Sequence, residues 1–234
     1  MGRQIIIAKL RCCSQMINII VAVSKVKDSD TIAGIGLNNT IPWKSKSDMK
    51  RFREITRDHV VVMGRNTYNS LKSSTNPKPI LKNRINIVLT SEILTSEILT
   101  SEILTSEIIT SETITGTNRT HATDNYHPDI ILVNNLQHVF IEYVNREIFI
   151  IGGSRVYKEA IELSRVLPDS VCTPSNLRLY LTIMNDYYEC DTFIDCTITD
   201  NACTMYGHTF KCDRLDLCAV TDSDDGMCKF LTIA

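Results

Sequence analysis

A chain of 234 residues with 43% hydrophobic content holds enough apolar material for a substantial core, which excludes a disordered or fibrous protein and predicts a globular one. The net charge of -2 leaves no broad basic surface for duplex nucleic acid, yet between Lys44 and Arg65 seven cations (Lys44, Lys46, Lys50, Arg51, Arg53, Arg57, Arg65) face three acids (Asp48, Glu54, Asp58), a balance suited to a small polyanion. Nine cysteines without metal-like spacing predict reduced thiols in the cytosol and no metal site, and no run is long enough to span a membrane.

The first fifteen residues carry Arg3, Lys9 and Arg11 without an acid and read as an extension ahead of the domain. The segment from Ile5 to Ala8 is too short for a signal peptide, the serine content is low for a mitochondrial presequence, and Ile6 occupies the place where myristoylation wants Ser or Thr. Ile17 to Val23 is an apolar, β-branched run and predicts a buried strand. A loop follows with Gly34, Gly36 and Asn38-Asn39, closing on Ile41-Pro42-Trp43. Asp48 opens a predicted helix to about Arg57, on which Met49, Phe52 and Ile55 recur at helical spacing. A carboxylate at the edge of an apolar face is costly to desolvate, so Asp48 either pairs, caps the helix or titrates high.

Val60 to Met63 and Ile85 to Leu89 predict two more buried strands. From Thr90 the chain becomes a tandem repeat, TSEIL three times and then TSEII and TSETI, ending at Ile114. Period five matches neither a helix nor a strand, and a solenoid needs more stacked coils, so the repeat predicts a surface insertion. Ile130 to Val133 and Ile148 to Ile151 are further strands, the second leading through Gly152-Gly153 into a helix from Val156 to Leu163. Ser164 to Asn176, with Pro168 and Pro174, predicts an extended loop, and Leu177 to Met184 and Met227 to Ile233 close the chain as strands. Strands alternating with helices predict a single α/β domain over residues 16–234, with a central, mostly parallel twisted sheet, helices on both faces and a C-terminal antiparallel hairpin.

Two strand ends carry glycine before a helical run, Gly64 and Gly152-Gly153, and free N–H groups at such helix starts suit phosphates. Arg65-Asn66-Thr67 adds a cation and a hydroxyl at the first, Ser154-Arg155 at the second. Neither is a G-x-G-x-x-G or a Gly-Lys-Thr phosphate loop; two seats, each with arginine, point to a dinucleotide.

Seven blocks then occur in the order and approximate spacing of one family: IIVAVS from Ile19, GIGLNNTIPW from Gly34, Asp48 with Met49 and Phe52, VVMGRNTY from Val61, KNRINIVLTSE from Lys82, IFIIGGSRVY from Ile148 and LYLT from Leu179. Over residues 17–92 and 130–195 the chain resembles dihydrofolate reductase. The resemblance implies hydride transfer from NADPH to C6 of a dihydropterin with protonation at N5. It makes Asp48 the acid that bonds the 2-amino group and N3 of the pteridine and helps supply the proton, Thr182 its supporting hydroxyl, and Trp43 the indole at the pocket mouth. Ile20, Val21, Ala22, Met49, Phe52, Leu71, Leu81 and Ile151 would line the pterin and benzoyl slots, and Arg84 would clamp the glutamate α-carboxylate, a bidentate task.

For the cofactor the resemblance implies Ala22, the loop Gly34, Ile35, Gly36, Leu37, Asn38, Asn39 and Thr40, then Gly64, Arg65, Asn66 and Thr67. It continues with Thr90, Ser91 and Glu92, and with Gly152, Gly153, Ser154, Arg155, Val156, Tyr157, Lys158 and Glu159. Arg65 would meet the 2'-phosphate and Tyr157 would sit near the nicotinamide. Some members place a basic residue after the third strand, where this chain has Thr90-Ser91-Glu92 and the start of its repeat; Asn39 stands where glycine is common. The expected state is a cytoplasmic monomer that takes dihydrofolate as its small-molecule partner and requires neither nucleic acid nor membrane. The competing expectations are a riboflavin-pathway reductase of similar fold, against which Asp48 counts, and a weakly catalytic folate-binding or interaction protein that uses the repeat as its surface.

Overall fold

The structure is a computed structural model that describes residues 15–27, 29–91, 120–121, 126–167, 176–199, 202–211 and 219–233. The TSEIL repeat beyond Ser91, the extension before Gln15 and most of the predicted loop after α4 lie outside these residues. Gln15, at the end of that extension, is buried, and its side-chain amide donates to the Tyr143 carbonyl at 2.8 Å.

In chain order the elements are β1 (Ile17–Val26), β2 (Ser29–Gly36), α1 (Lys46–Ile55), β3 (Val60–Gly64), α2 (Arg65–Ser70), β4 (Ile85–Leu89), β5 (Thr120–His121), β6 (Ile130–Val133) and α3 (Leu136–Glu142). There follow β7 (Ile148–Ile150), α4 (Ser154–Val166), β8 (Leu177–Met184), β9 (Thr192–Thr199), β10 (Ala202–Met205), β11 (His208–Lys211), β12 (Ala219–Asp222) and β13 (Cys228–Ile233). The middle of the sheet is parallel: β1 pairs with β8 on one side and β7 on the other, and β7, β3, β4 and β6 continue in register. The Val/Ile/Leu runs of β3 and β7 follow from cover on both faces, whereas β8, with Arg178 and Tyr180 between buried leucines, keeps the alternation of a half-covered strand. Antiparallel strands flank this core, β12 and β13 against β8, and β2, β9, β10 and β11 beyond the far half of β1.

Three local readings differ from the sequence expectations. The segment before Gly36 is a strand rather than a loop, because β2 pairs with both β1 and β9. Helix α1 starts two residues before Asp48, and Ser45 is its N-cap, with Asp48 N donating to Ser45 Oγ at 3.1 Å. Helix α4 runs on to Val166, so Ser164 is a buried helical residue whose hydroxyl donates to the Ile161 carbonyl. Among the described residues no helix is long and apolar enough to cross a membrane. Cys196 and Cys203 are free thiols with their sulfurs 3.6 Å apart across β9 and β10.

Candidate active site

Helix α1 is amphipathic, yet none of its residues is buried. Met49 is 45% exposed and Phe52 only partly covered, while Leu71, 37% exposed, and the half-buried Leu81 and Ile151 leave similar apolar surface near the strand ends. Buried Ile20 packs with Phe52, Leu81 and Ile151, and half-buried Ala22 lies by Trp43, whereas Val21, expected to line the same slot, alternates to the other core cluster on the opposite face of β1. Phe52, Ile55, Leu81 and Ile151 pack against the core cluster around Ile20 while keeping part of their surface open, an apolar wall of the kind a flat aromatic ligand uses.

Asp48 is the third residue of this helix. With a Ser-x-x-Asp start, a reciprocal box would return the acid to the N-cap backbone. The carboxylate instead crosses to the sheet, where Thr182 of β8 donates its hydroxyl hydrogen to Asp48 Oδ1 at 2.7 Å. Burial, outweighing the Thr182 bond and the Arg51 charge, raises the Asp48 pKa above the ordinary carboxylate value, and Asp225 adds to the rise. The half-buried acid is therefore fixed in direction and easier to protonate than a surface aspartate.

Comparison with known proteins gives the family. The dihydrofolate reductase family model matches residues 16–117. The chain is 31% identical over 183 residues to the dihydrofolate reductase of Schistosoma mansoni, covering 76% of each chain. It is 27% identical over 161 residues to that of Ureaplasma parvum serovar 3, covering 69% of this chain and 74% of the relative. Against that of Drosophila melanogaster it is 29% identical over 171 residues, covering 68% and 71%. The chain belongs to the dihydrofolate reductase family.

In this reductase Trp43 is 5% exposed and packs edge-on against Tyr188, with ring centroids 5.4 Å apart and Met184 and Cys228 beside it. Its indole N–H is buried with no partner among the described residues. Arg84 lies behind Phe52, its guanidinium 5.9 Å from the ring centroid. It donates to Thr56 Oγ1 at 2.9 Å, to the Lys82 carbonyl at 2.6 Å and to the Arg53 carbonyl at 2.9 Å. These bonds use one hydrogen on each nitrogen and leave one on each Nη for a ligand. Buried Asn86 holds the loop that presents Leu81 and Arg84, accepting from Leu81 N and donating to the Leu81 and Arg84 carbonyls.

The two glycine turns meet because β3 and β7 are neighbours, and Gly64 N donates to the Gly152 carbonyl at 2.7 Å. A Cβ at Gly64 would lie 3.1 Å from Val156 Cγ2; Gly152 has φ +119, and a Cβ there would lie 3.1 Å from the Tyr157 hydroxyl and 3.4 Å from Thr67 Oγ1. The α2 and α4 N-caps, Gly64 and Gly153, make no side-chain cap bond, so no side chain stands between a ligand and either helix start. Two uncapped helix starts with side-chain-free backbone between them fit a pyrophosphate. Arg65, Asn66 and Arg155 are exposed around this seat.

Not every expected cofactor residue converges there. Tyr157 is buried, and its hydroxyl donates to the Ile20 carbonyl at 2.9 Å, tying α4 to β1; burial raises its pKa. Val156 is buried, Lys158 lies 3.9 Å from Glu162 along the helix, and burial raises the Glu159 carboxyl against the pull of Arg155 and the Leu136 backbone. Thr90 is buried and extends the sheet through its N–H to the Val133 carbonyl; Ser91 is exposed, and Glu92 lies outside the described residues. Ser154 Oγ sits 2.7 Å from the Tyr206 hydroxyl.

Of the expected loop Gly34 to Thr40, the first three residues end β2 and Leu37 to Thr40 form a tight turn. Asn38 and Asn39 take left-handed φ of 49° and 62°, and Leu37 and Thr40 exchange two backbone bonds of 2.9 Å. Asparagine supplies the left-handed conformation at low cost where glycine would otherwise serve. Asp191 accepts from Asn38 N at 2.7 Å, and this bond holds its carboxyl below the usual range. Ile35 packs on the core, and a Cβ at Gly34 would collide with Cys190 Sγ.

Sequence reasoning missed Ser45, Arg51, Thr56, Asn86, Asp191 and Asp225. Asp225, in the turn between β12 and β13, accepts from Ser45 Oγ and Ser47 N with Oδ2 and from Ser223 Oγ and Met227 N with Oδ1, bonds that hold its carboxyl well below the usual range. Ser45 had a signal in its Ser-x-x-Asp spacing and Asn86 has its partners within five residues, whereas Arg51, Thr56, Asp191 and Asp225 depend on partners far along the chain.

Proposed function

We propose that this protein reduces 7,8-dihydrofolate to tetrahydrofolate with Asp48 as the pterin acid and NADPH as the reductant, in support of one-carbon metabolism and thymidylate synthesis. The observation that carries the assignment of Asp48 is its half-buried carboxylate, bound to the Thr182 hydroxyl on a helix that also carries exposed Met49 and partly covered Phe52. Thr182 occupies one lone-pair direction of Oδ1, and the remaining directions of both oxygens can accept the parallel N–H pair of a 2-amino-pyrimidinone ring. Ile20, Ala22, Phe52 and Ile151 exclude water around that ring, and Met49, Leu71 and Leu81 flank the benzoyl group. Arg84 presents its two remaining Nη hydrogens to the glutamate carboxylate.

NADPH, when bound, supplies the hydride that C6 accepts. The uncapped starts of α2 and α4 receive its pyrophosphate, the Gly34–Thr40 segment covers the nicotinamide side, and exposed Arg65 favours the 2'-phosphate. N5 takes up the one proton the reaction consumes, and Asp48, easily protonated in its desolvated position, raises the availability of that proton near the ring. The working state is a cytoplasmic monomer. A spectrophotometric assay with dihydrofolate tests the reading: the protein oxidises NADPH faster than NADH, and Asp48→Asn loses most turnover near neutral pH. Near-normal rates for that variant would remove Asp48 from the mechanism, and binding of dihydrofolate without oxidation of either cofactor would favour a binding protein.

A further inference from the structure

Arg51 lies one helical turn after Asp48 and is half-buried over the sheet instead of extending into water. Its Nη1 reaches Thr182 Oγ1 and the Leu181 carbonyl, each at a long 3.4 Å, while Nη2 donates to Thr232 Oγ1 at 2.9 Å and reaches the Leu231 carbonyl at 3.5 Å. The guanidinium carbon sits 4.6 Å from the Phe230 ring centroid and 5.7 Å from that of Tyr180. These contacts cluster because Thr182 and Phe230 are opposite one another on β8 and β13. Aromatic faces and backbone carbonyls together keep a partly desolvated cation in place.

Thr182 has one hydroxyl hydrogen, and it goes to Asp48 Oδ1. Arg51 Nη1, 3.4 Å from the same oxygen, takes one of its two lone pairs and turns a cationic donor toward it, an arrangement that suits a Thr182 hydroxyl whose hydrogen points to Asp48. We propose that Arg51 is a positioning residue for the pterin acid, orienting the Thr182 hydroxyl and favouring the ionised form of Asp48, so that the acid gives up its proton at lower pH than its burial alone would allow. This rests on Asp48 being the pterin acid.

On its outer side Arg51 shares a pocket with Lys50, Glu54 and Asp224, and among the described residues the groups coupled to Asp48 or Arg51 from the packed elements are these. Arg51 is on its own helix, Tyr180 comes from β8, Cys228 from β13, Asp225 from the turn before β13, and Tyr157 from α4. Burial raises the Cys228 and Tyr157 pKa values, which leaves both neutral near pH 7; Asp225 is anionic and opposes Arg51. Among the described residues Arg51 is thus the cation that acts on Asp48 itself.

The test compares kcat/KM across pH for the wild type, Arg51→Lys and Arg51→Met, with dihydrofolate and NADPH. Because the reaction consumes a proton, its rate falls as pH rises past the pKa of the group that delivers it. Removing the cation raises that pKa, so the falling limb of Arg51→Met moves upward, and its rate relative to wild type rises about tenfold from acid to alkaline pH. Arg51→Lys keeps the charge and stays near the wild-type profile. A pH-independent loss in Arg51→Met would reduce Arg51 to a clamp between β8 and β13 and overturn the proposal. If Arg51→Met does not fold, Arg51→Gln, neutral but still able to donate, gives the same readout; failure of both to fold while Arg51→Lys folds also overturns it. Absence of wild-type turnover would instead strike the reductase reading, which separates the two failures.

Discussion

Thr182→Val isolates the bond on which the candidate site turns. Valine keeps the β-branched shape that β8 needs and removes only the hydroxyl. Thr182 is 2% exposed and flanked in register by Ala22 and Phe230, so no water readily replaces that hydroxyl. The lost bond is a 2.7 Å donation to a half-buried carboxylate, and a hydrogen bond to a charged group is worth about 1.5–3 kcal/mol. If it orients Asp48 in the transition state as well as the ground state, kcat/KM at acid pH falls by about ten- to a hundredfold. The bond also favours the ionised acid, so its removal raises the Asp48 pKa further, and the loss relative to wild type narrows as pH rises. Steady-state kinetics from acid to alkaline pH, with circular dichroism to establish folding, measures both effects. A folded Thr182→Val protein with less than a twofold loss and an unmoved pH profile would show that Asp48 needs no partner on β8, and the reasoning would fail.

Two further outcomes follow from the same geometry. Burial raises the Asp48 pKa in the fold, so its protonated form contributes stability that is complete below the ordinary carboxylate pKa and is lost as pH rises through the raised value; Asp48→Asn should therefore increase Tm near pH 7 and give no increase below about pH 4. Thermal melts at both pH values check this, and an equal gain at each would point to packing instead of charge. Arg84→Lys cannot meet the three directions now taken by Thr56, Lys82 and Arg53 and still offer a fork, so it should weaken binding of a glutamate-bearing folate by about tenfold or more while leaving a pteridine without glutamate unaffected. Equal losses for both ligands in a fluorescence titration would remove Arg84 from carboxylate recognition.

The parallel core was legible because β3 and β7 are buried on both faces and, with β1, β4 and β6, leave short apolar runs, while β8 alternates buried leucines with Arg178 and Tyr180. The antiparallel flank was not, for a physical reason. In β2 the first four residues are exposed or half-exposed and only the last four turn inward, so Ser29–Gly36 shows no period to read. In β9 the inward positions are Ile194 and Cys196, too few to separate a strand from a loop. The start of α1 was misplaced because Asp48 could serve as a cap as well as Ser45 could, and only the position of Thr182 decides which one does.

The same contrast divides the site. Asp48, Gly64 and Gly152 were legible because each does its work through its local setting, as an acid beside an apolar face or as a glycine at a strand end. Arg51 was not, because in sequence it is one of seven cations in a basic stretch. What distinguishes it from Lys50 and Arg53 is the direction in which the helix turn carries it: Lys50 and Arg53 are exposed, whereas Arg51 meets strands 130 and 181 residues later. Helical spacing already places positions 48 and 51 on one side of α1. An acid and a base at that spacing beside an apolar stripe would ordinarily form a surface pair worth a few tenths of a kcal/mol. Here the sheet intervenes, and Thr182 takes the position between the two charges, so that the pair acts through a hydroxyl instead of by direct contact. That substitution turns a common helix-surface motif into a means of setting one proton affinity.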